Sequence, residues 1–298
     1  MSAGWIKPSV FRELETGGTT AYRLYGLGES AVERFGESAL VSAVSAVEIE
    51  RLSAELRSVA SGFGWECRRV FGRRLVRTPG EADKPVLVWG DGGDSREVVL
   101  ESGLRYEVDL AASYSPGLFC DQRANREFLQ GRRPGHVLNL FSYTCAFSVA
   151  AASVGARTTS VDVSKAALER GKRNFAGNGI DLAGHRFVVD DAGEYLRRLM
   201  RRGDLFDAMI IDPPTFGRAS GRKTFQIARD LPGLIRMAAE VCQPGAAILV
   251  STNFRGWDAV DLESLVRAEL PSGTAIHRVD RQPDFAPGSG SVTLWALL

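Results

Sequence analysis

Val137-Leu138-Asn139-Leu140-Phe141, then Ser142-Tyr143-Thr144-Cys145, then Ala146-Phe147-Ser148-Val149-Ala150-Ala151-Ala152, is the stretch on which the fold turns. The first run is apolar, carries β-branched and aromatic residues and is flanked by turn formers, as a buried strand of a parallel sheet is. Four mostly polar residues interrupt it. Small, good helix formers with larger side chains spaced for one face follow, so the stretch reads strand, turn, helix.

The pattern repeats downstream. Thr158-Thr159-Ser160-Val161 is a short strand candidate ending in Asp162-Val163, and Ser164 is placed to cap a helix through Lys165-Ala166-Ala167-Leu168-Glu169-Arg170. Asp162 falls about 20 residues beyond the first turn, where doubly wound folds place the acid that accepts hydrogen bonds from a ribose diol. Arg186 to Val189 ends in Asp190-Asp191, and Phe206 to Ile211 ends in Asp212-Pro213-Pro214-Thr215-Phe216. Four strands thus finish on polar residues along one sheet edge, the edge where open α/β sheets bind ligands.

A dinucleotide would need G-x-G-x-x-G after the first strand, so that its pyrophosphate can approach a helix N-terminus. Ser142 to Phe147 contains no glycine. A pyrophosphate cradle is not expected there; an adenosine cofactor without phosphate, such as S-adenosylmethionine, suits the turn better.

These residues resemble class I S-adenosylmethionine-dependent methyltransferases, specifically the bacterial large-subunit ribosomal RNA group. That group includes the 23S rRNA cytosine-5 enzyme and the guanine-N7 half of a fused guanine methyltransferase. The resemblance runs from roughly Val98 to Leu298. Gly117 to Arg126 is similar to the F-x-D-Q-R-x-x-R segment that lies against the cofactor, Leu140 to Thr144 to the first motif, and Asp162, Asp191 and Asp212 to Phe216 to the ribose, adenine and reaction-site motifs. The resemblance implies an α/β fold: a Rossmann-like seven-stranded methyltransferase sheet with an antiparallel C-terminal hairpin, preceded by a small α+β N-terminal module. It implies S-adenosylmethionine as cofactor, held by Phe119, Gln122, Arg123, Asn139, Phe141, Ser142, Tyr143, Thr144, Asp162, Val163, Ser164, Asn178, Asp190, Asp191, Ala192 and Asp212. The residues at the reaction would be Asp212, Pro213, Pro214 and Phe216, and the partner RNA of the large ribosomal subunit. One departure stands out: Cys145 and Ala146 occupy positions where the family usually has glycine. A Cβ there is expected to narrow the pocket or tighten the turn.

The reaction-site segment also has a mechanical meaning. Two prolines stiffen the turn and remove two backbone donors, leaving carbonyls and the Asp212 carboxylate as fixed acceptors. Phe216 offers a face for a planar base turned out of RNA structure. Alone, a D-P-P is an ordinary tight turn; its place after two earlier strand-end acids favours the functional sense. Methylation at cytosine C5 normally needs a cysteine thiolate added to C6. The cytosine enzymes carry it after the fifth strand, where Ile248 to Arg255 has none; Cys242, before Pro244-Gly245, reads as a core thiol and Cys145 belongs to the cofactor turn, so the cytosine-5 reading loses ground. Guanine N7 has a free lone pair and needs neither adduct nor base, only orientation. Phe225 to Asp230, Thr252 to Gly256 and Gln282 to Ala286 resemble the guanine-N7 relatives, which places guanine N7 first.

The rest of the chain frames this core. Its 298 residues suit one large or two ordinary domains, and a net charge of +1 does not announce nucleic acid. Four scattered cysteines without a C-x-x-C and no paired His argue against a disulfide framework or metal and for a reducing, cytoplasmic setting. No run reaches the roughly 18 apolar residues of a membrane span. Residues 1–90 are expected to form the α+β module and 91–298 the methyltransferase domain. In the module, Thr20 to Tyr25 and Ser38 to Val44 read as strands around a glycine-containing connection, and Val47 to Ala60 as a helix with Ile49, Leu52, Leu56 and Val59 inward. Glu66 to Arg77 is a basic strand, either an RNA-backbone contact or a solvated face. Thr78 to Asp94 reads as a linker, Leu100 to Asp109 as a hairpin, and Arg197, Arg198, Arg201 and Arg202 as the outer face of a helix. Arg218, Arg222 and Lys223 lie in a loop after Phe216 that reads either as a clamp for RNA phosphates or as a solvated loop. Thr274 to Asp280 and Ser291 to Leu298 are read as the closing hairpin, with Gly288-Ser289-Gly290 in its turn. Two other functions remain open from sequence: the same chemistry on a small molecule or protein, and a cofactor-binding RNA module with little catalysis.

Overall fold

The computed structural model describes residues 3–75, 84–214, 216–217, 225–280, 282–286 and 288–298. Arg77, Thr215, the side chain of Phe216, Arg218, Arg222 and Lys223 lie outside the described residues. The chain folds as two compact units, residues 1–123 with 281–289, and residues 124–280 with 290–298.

The first unit contains α1 (Pro8–Thr16), β1 (Ala21–Leu27), β2 (Ser30–Phe35), β3 (Ser38–Ala43), α2 (Ala46–Phe63), β4 (Arg69–Arg74), β5 (Val86–Gly90), β6 (Arg96–Glu101) and β7 (Leu104–Asp109). The first five strands form one sheet in the order β1-β2-β3-β4-β5, with β3 and β4 parallel across α2. Ser45 caps α2 by accepting from the Glu48 N–H at 3.2 Å, and Gly64 ends it at φ +68°, a conformation open to a residue without Cβ. Ile49, Leu52, Leu56 and Ala60 supply the buried face, with Val59 packed beside them. Two strands went unread in the sequence. The connection before Ser38 is itself an interior strand, β2, and the expected linker contains β5, an edge strand whose exposed residues give no burial pattern.

The basic strand is β4, and its Arg69 and Arg73, with Arg68 just before it, are engaged within this unit. Arg69 pairs with Glu97 at 2.6 Å; Arg73 donates to Ser42 Oγ and, at 2.6 Å, to the Tyr114 carbonyl; Arg68 pairs with Glu66 and Glu37. These partners, rather than phosphates, account for three of the arginines.

The expected boundary near residue 90 moves to residue 123. The β6–β7 hairpin is tied to the first unit by Thr20, whose N–H donates to the Leu100 carbonyl and whose Oγ1 accepts from the Leu100 N–H, and by the Gly103 N–H on the Gly18 carbonyl. Residues 281–289 return to the same unit. Asp284 there accepts from the Arg23 N–H and forms a buried ion pair with Arg123 at 2.5 Å, and Gln282 donates to the Asp121 carbonyl. The glycines around Ser289 are therefore the end of a longer excursion, not a simple hairpin turn.

The second unit contains α3 (Arg123–Arg132), β8 (His136–Leu140), α4 (Ala146–Ala152), β9 (Arg157–Asp162), α5 (Lys165–Gly177), β10 (His185–Val189), α6 (Ala192–Arg202), β11 (Phe206–Ile211), β12 (Phe216–Gly217), β13 (Phe225–Gln226), α7 (Ile227–Glu240), β14 (Cys242–Thr252), α8 (Ala259–Glu269), β15 (Ala275–His277) and β16 (Val292–Leu297). Its seven-stranded sheet runs β10-β9-β8-β11-β14-β16-β15. The first five are parallel, and β16 and β15 close the edge antiparallel, as expected. Alternation along β11 makes the layers. Met209 and Ile211 pack with residues of α6, α7 and α8, while Ala208 and Ile210 pack with Leu129 of α3, Phe147 and Ala151 of α4, and Trp295. Each such fully buried aliphatic side chain contributes about 1.5–3 kcal/mol. β8 and β11 are covered on both faces, which is why their sequences read as continuous apolar runs.

Candidate active site

Strand register sets the site. Val189 lies opposite Asp162, Leu140 opposite Val161, and Ile211 opposite both Leu140 and Val250. The residues that follow, Asp190, Phe141, Asp212 and Ser251, therefore emerge beside Asp162 along one carboxyl edge.

The first turn takes an unusual path for a glycine-free segment. Phe141, Tyr143 and Cys145 all adopt left-handed backbone, with φ of 55°, 46° and 60°. Each costs roughly 1–2 kcal/mol for a residue bearing a Cβ, so the surroundings must hold them. They do so from strand β9, from helix α5 and from within the turn itself. The Ser142 N–H donates to the Val161 carbonyl at 3.0 Å, the Tyr143 N–H to Asp162 Oδ2 at 2.8 Å, and the Cys145 N–H to the Ser142 carbonyl at 2.7 Å. Asn174 of α5 donates to the Thr144 carbonyl at 2.9 Å. Three turn N–H groups are thus occupied internally.

Asp162 is the hub. Its Oδ2 accepts from Tyr143 and its Oδ1 from the Ser164 N–H at 2.8 Å, one donor on each oxygen, which leaves each a second lone pair. A carboxylate so oriented, half-exposed at a strand end, fits a ribose diol. Ser164 caps α5 through the Ala167 N–H, and Val163 between them is exposed, an apolar surface of the kind an adenine ring covers. Burial raises the Asp162 carboxyl above its ordinary value of 3.8, against the two N–H bonds that lower it. The ionised form is the one that accepts from a diol, so cofactor affinity should fall as pH drops, with a midpoint above 3.8; calorimetry across pH 3.5–7 (about that range) checks it. The fold responds oppositely. A raised carboxyl contributes stability in full below its unfolded value and loses it above its folded one, so Asp162 itself does not drive acid unfolding.

The other residues named from the sequence separate into groups. Ser142 and Thr144 are buried in the turn, and Phe141 and Tyr143 are half-buried. Asn139 is buried beneath it, donating to Ser148 Oγ at 2.9 Å, which in turn meets Ser160 Oγ at 2.8 Å; it supports the turn from below. Asp191 caps α6 by accepting from the Glu194 N–H, with Ala192 buried behind it, and Asp190 accepts from the Asp191 N–H and pairs with Arg198. Asn178 follows the end of α5 and donates to the carbonyl of Asn174, whose side chain holds the Thr144 carbonyl of the turn. Phe119, Gln122 and Arg123 belong to the first unit, where Phe119 is exposed and Gln122 buried.

Asp212 is half-buried, Pro213 buried and Pro214 exposed. Beyond them β12 and β13 form a two-residue ladder, and Phe225 of β13 packs edge-on against Phe141 of the first turn, centroids 5.4 Å apart. Phe225, Asn174 and Gly171 were not recognised as turn supports from the sequence; only contacts between distant elements reveal them.

All four cysteines are described, and none is set up as a nucleophile. Cys145 is fully buried, with burial pushing its thiol up to about 12. Cys242 begins β14, at the sheet edge opposite Asp212, and is pushed up to about 12. In the first unit Cys120 is raised well above the ordinary thiol value and Cys67 to about 11, both by burial. Cys145 also corrects an expectation. Its side chain faces α5, against Gly171, and not the open side of the turn, so it does not narrow the site. Among the described residues no cluster of three or more His, Cys, Asp or Glu is placed to hold a metal, and no helix is long and apolar enough to cross a membrane.

A doubly wound parallel sheet closed by an antiparallel pair, with an acid-anchored turn after its first strand, is a class I methyltransferase fold. The chain belongs to the S-adenosylmethionine-dependent methyltransferase family, whose sequence model matches residues 41–298. It is 32% identical over 244 residues, 79% of its length, to YwbD of Bacillus subtilis, provisionally named a ribosomal RNA large subunit methyltransferase. It is 38% identical over 183 residues, 60% of its length, to the ribosomal RNA large subunit methyltransferase K/L of a Psychrobacter species. The chain spans 61% of the first of these proteins and 22% of the second. Among solved structures, a Streptococcus mutans protein provisionally described as a SAM-dependent methyltransferase shares the fold at a TM-score of 0.80 and 24% identity, over 98% of this chain and 79% of that one.

Proposed function

We propose that this protein is an S-adenosylmethionine-dependent RNA base methyltransferase that acts on large-subunit ribosomal RNA at guanine N7. The observation that carries it is the register of β9, β8 and β11, which puts the Asp162-anchored turn and the Asp212-Pro213-Pro214 acceptors on neighbouring strand ends. Relatives named as large-subunit rRNA methyltransferases support RNA as the substrate class. A cytoplasmic location is part of the proposal.

The cofactor supplies a methyl group on an electrophilic sulfonium. Asp162 would bind its ribose, Val163 and the Asp191 end of α6 would flank its adenine, and the Phe141 to Thr144 turn would pass beside its methionine end. Asp212 would accept from the base's N–H groups, aligning N7 for in-line attack. N7 carries its own lone pair, so no side chain need remove a proton before transfer. The withdrawal of every cysteine by burial favours this atom over cytosine C5.

Transfer of labelled methyl from S-adenosylmethionine into RNA from a strain lacking this gene, read by nucleoside mass spectrometry, tests the proposal. A 7-methylguanosine signal is expected. Label appearing as 5-methylcytidine would overturn the target atom, and label confined to a non-RNA fraction would overturn the substrate class.

A further inference from the structure

Glycine inside a helix is unfavourable relative to alanine, and Gly171 sits buried in the middle of α5. The reason lies across the gap. A Cβ at Gly171 would fall 2.9 Å from the Cys145 Cβ, nearer still to its Sγ, and 3.4 Å from the Thr144 carbonyl carbon. Cys145 is fully buried there with φ +60°. The sulfur thus occupies the space that an alanine methyl on α5 would take. One turn along the helix, Asn174 binds the Thr144 carbonyl, so α5 grips the turn at two adjacent points.

We infer that Gly171 is a positioning residue for the cofactor turn, acting through Cys145. Seating the Cys145 side chain in the glycine notch holds this residue in its left-handed conformation. The backbone on either side is thereby fixed, including the Tyr143 N–H on Asp162. Overpacking the notch should push Cys145 and Thr144 off α5 and misplace the Asp162 carboxylate. This inference rests on the proposal that the turn binds S-adenosylmethionine.

The test is a double-substitution cycle on the full chain, with S-adenosylmethionine affinity measured by calorimetry and folding by thermal melting. Gly171→Ala should weaken binding at least about tenfold, since overpacking a rigid contact is poorly tolerated. Cys145→Gly removes the seated side chain but also relieves the left-handed strain, and should weaken binding by about threefold, clearly less than Gly171→Ala does. Cys145→Gly with Gly171→Ala should recover to about the same level. Cys145→Ala with Gly171→Ala should recover only in part, because the clashing Cβ remains. A simple helix effect predicts the reverse, since alanine is the better helix former. Gly171→Ala binding like the parent, or a loss undiminished by Cys145→Gly, overturns the inference and leaves the proposed function standing. A parent chain that folds but binds no S-adenosylmethionine removes both. If Gly171→Ala fails to fold, recovery of a folded, binding protein in the double variant still supports the inference, and its failure to bind overturns it.

Discussion

Asp212→Ala is expected to lower methyl transfer on the order of a hundredfold while leaving S-adenosylmethionine affinity within a few fold. Losing a hydrogen bond to a charged group costs roughly 1.5–3 kcal/mol, and misorientation in the near-attack geometry adds to it. The carboxylate follows a strand packed on both faces and precedes Pro213-Pro214, which fix φ and carry no N–H. A side chain on so rigid a mount contributes through direction. Single-turnover kinetics with saturating cofactor measure the effect; an unchanged rate would remove Asp212 from the mechanism. Asp212→Asn keeps one carbonyl acceptor and should fall between the two.

Asp284→Ala is expected to destabilise the first unit by about 3–5 kcal/mol, because it leaves the Arg123 guanidinium buried without its counter-charge. Both side chains are almost wholly buried, at 4% and 0% exposure, so solvent screening is slight. Asp284 also accepts the Arg23 N–H of β1, and its loss releases that backbone donor as well. Denaturant melts resolving the two units should show one transition moved and the other kept. Equal shifts in both transitions, or none, would refute the local character of the pair. Replacing both Arg123 and Asp284 by apolar residues of similar volume should recover much of the loss, as double removal of a buried pair often does.

Much of the second unit was legible because its signals are local. Burial on both faces writes β8 and β11 as apolar runs, Ser164 is a cap that announces a helix start, and the boundaries of α4 and β11 follow. The polar ends of four strands predicted that they share one edge, and the register places them there. The first unit was less legible. β5 lies at a sheet edge with its residues exposed, and β2 is short and mixed, so neither carries a period that burial imposes. The basic strand was ambiguous because the partners of Arg69 and Arg73, Glu97 and Tyr114, lie more than one element away in sequence.

The order of strands, helices and strand-end acids, and with it the fold class and the family, was determined by sequence alone, because hydrophobic period and caps are properties of neighbouring residues. The tertiary structure decided what those residues do at close range. Residues 281–289 return to the first unit because Asp284 finds Arg123 there, 161 positions away. Cys145 leaves the turn open because Gly171, on a different element, has no side chain to oppose it. A contact between distant segments leaves no local period, so only packing could reveal which side of the turn the thiol occupies.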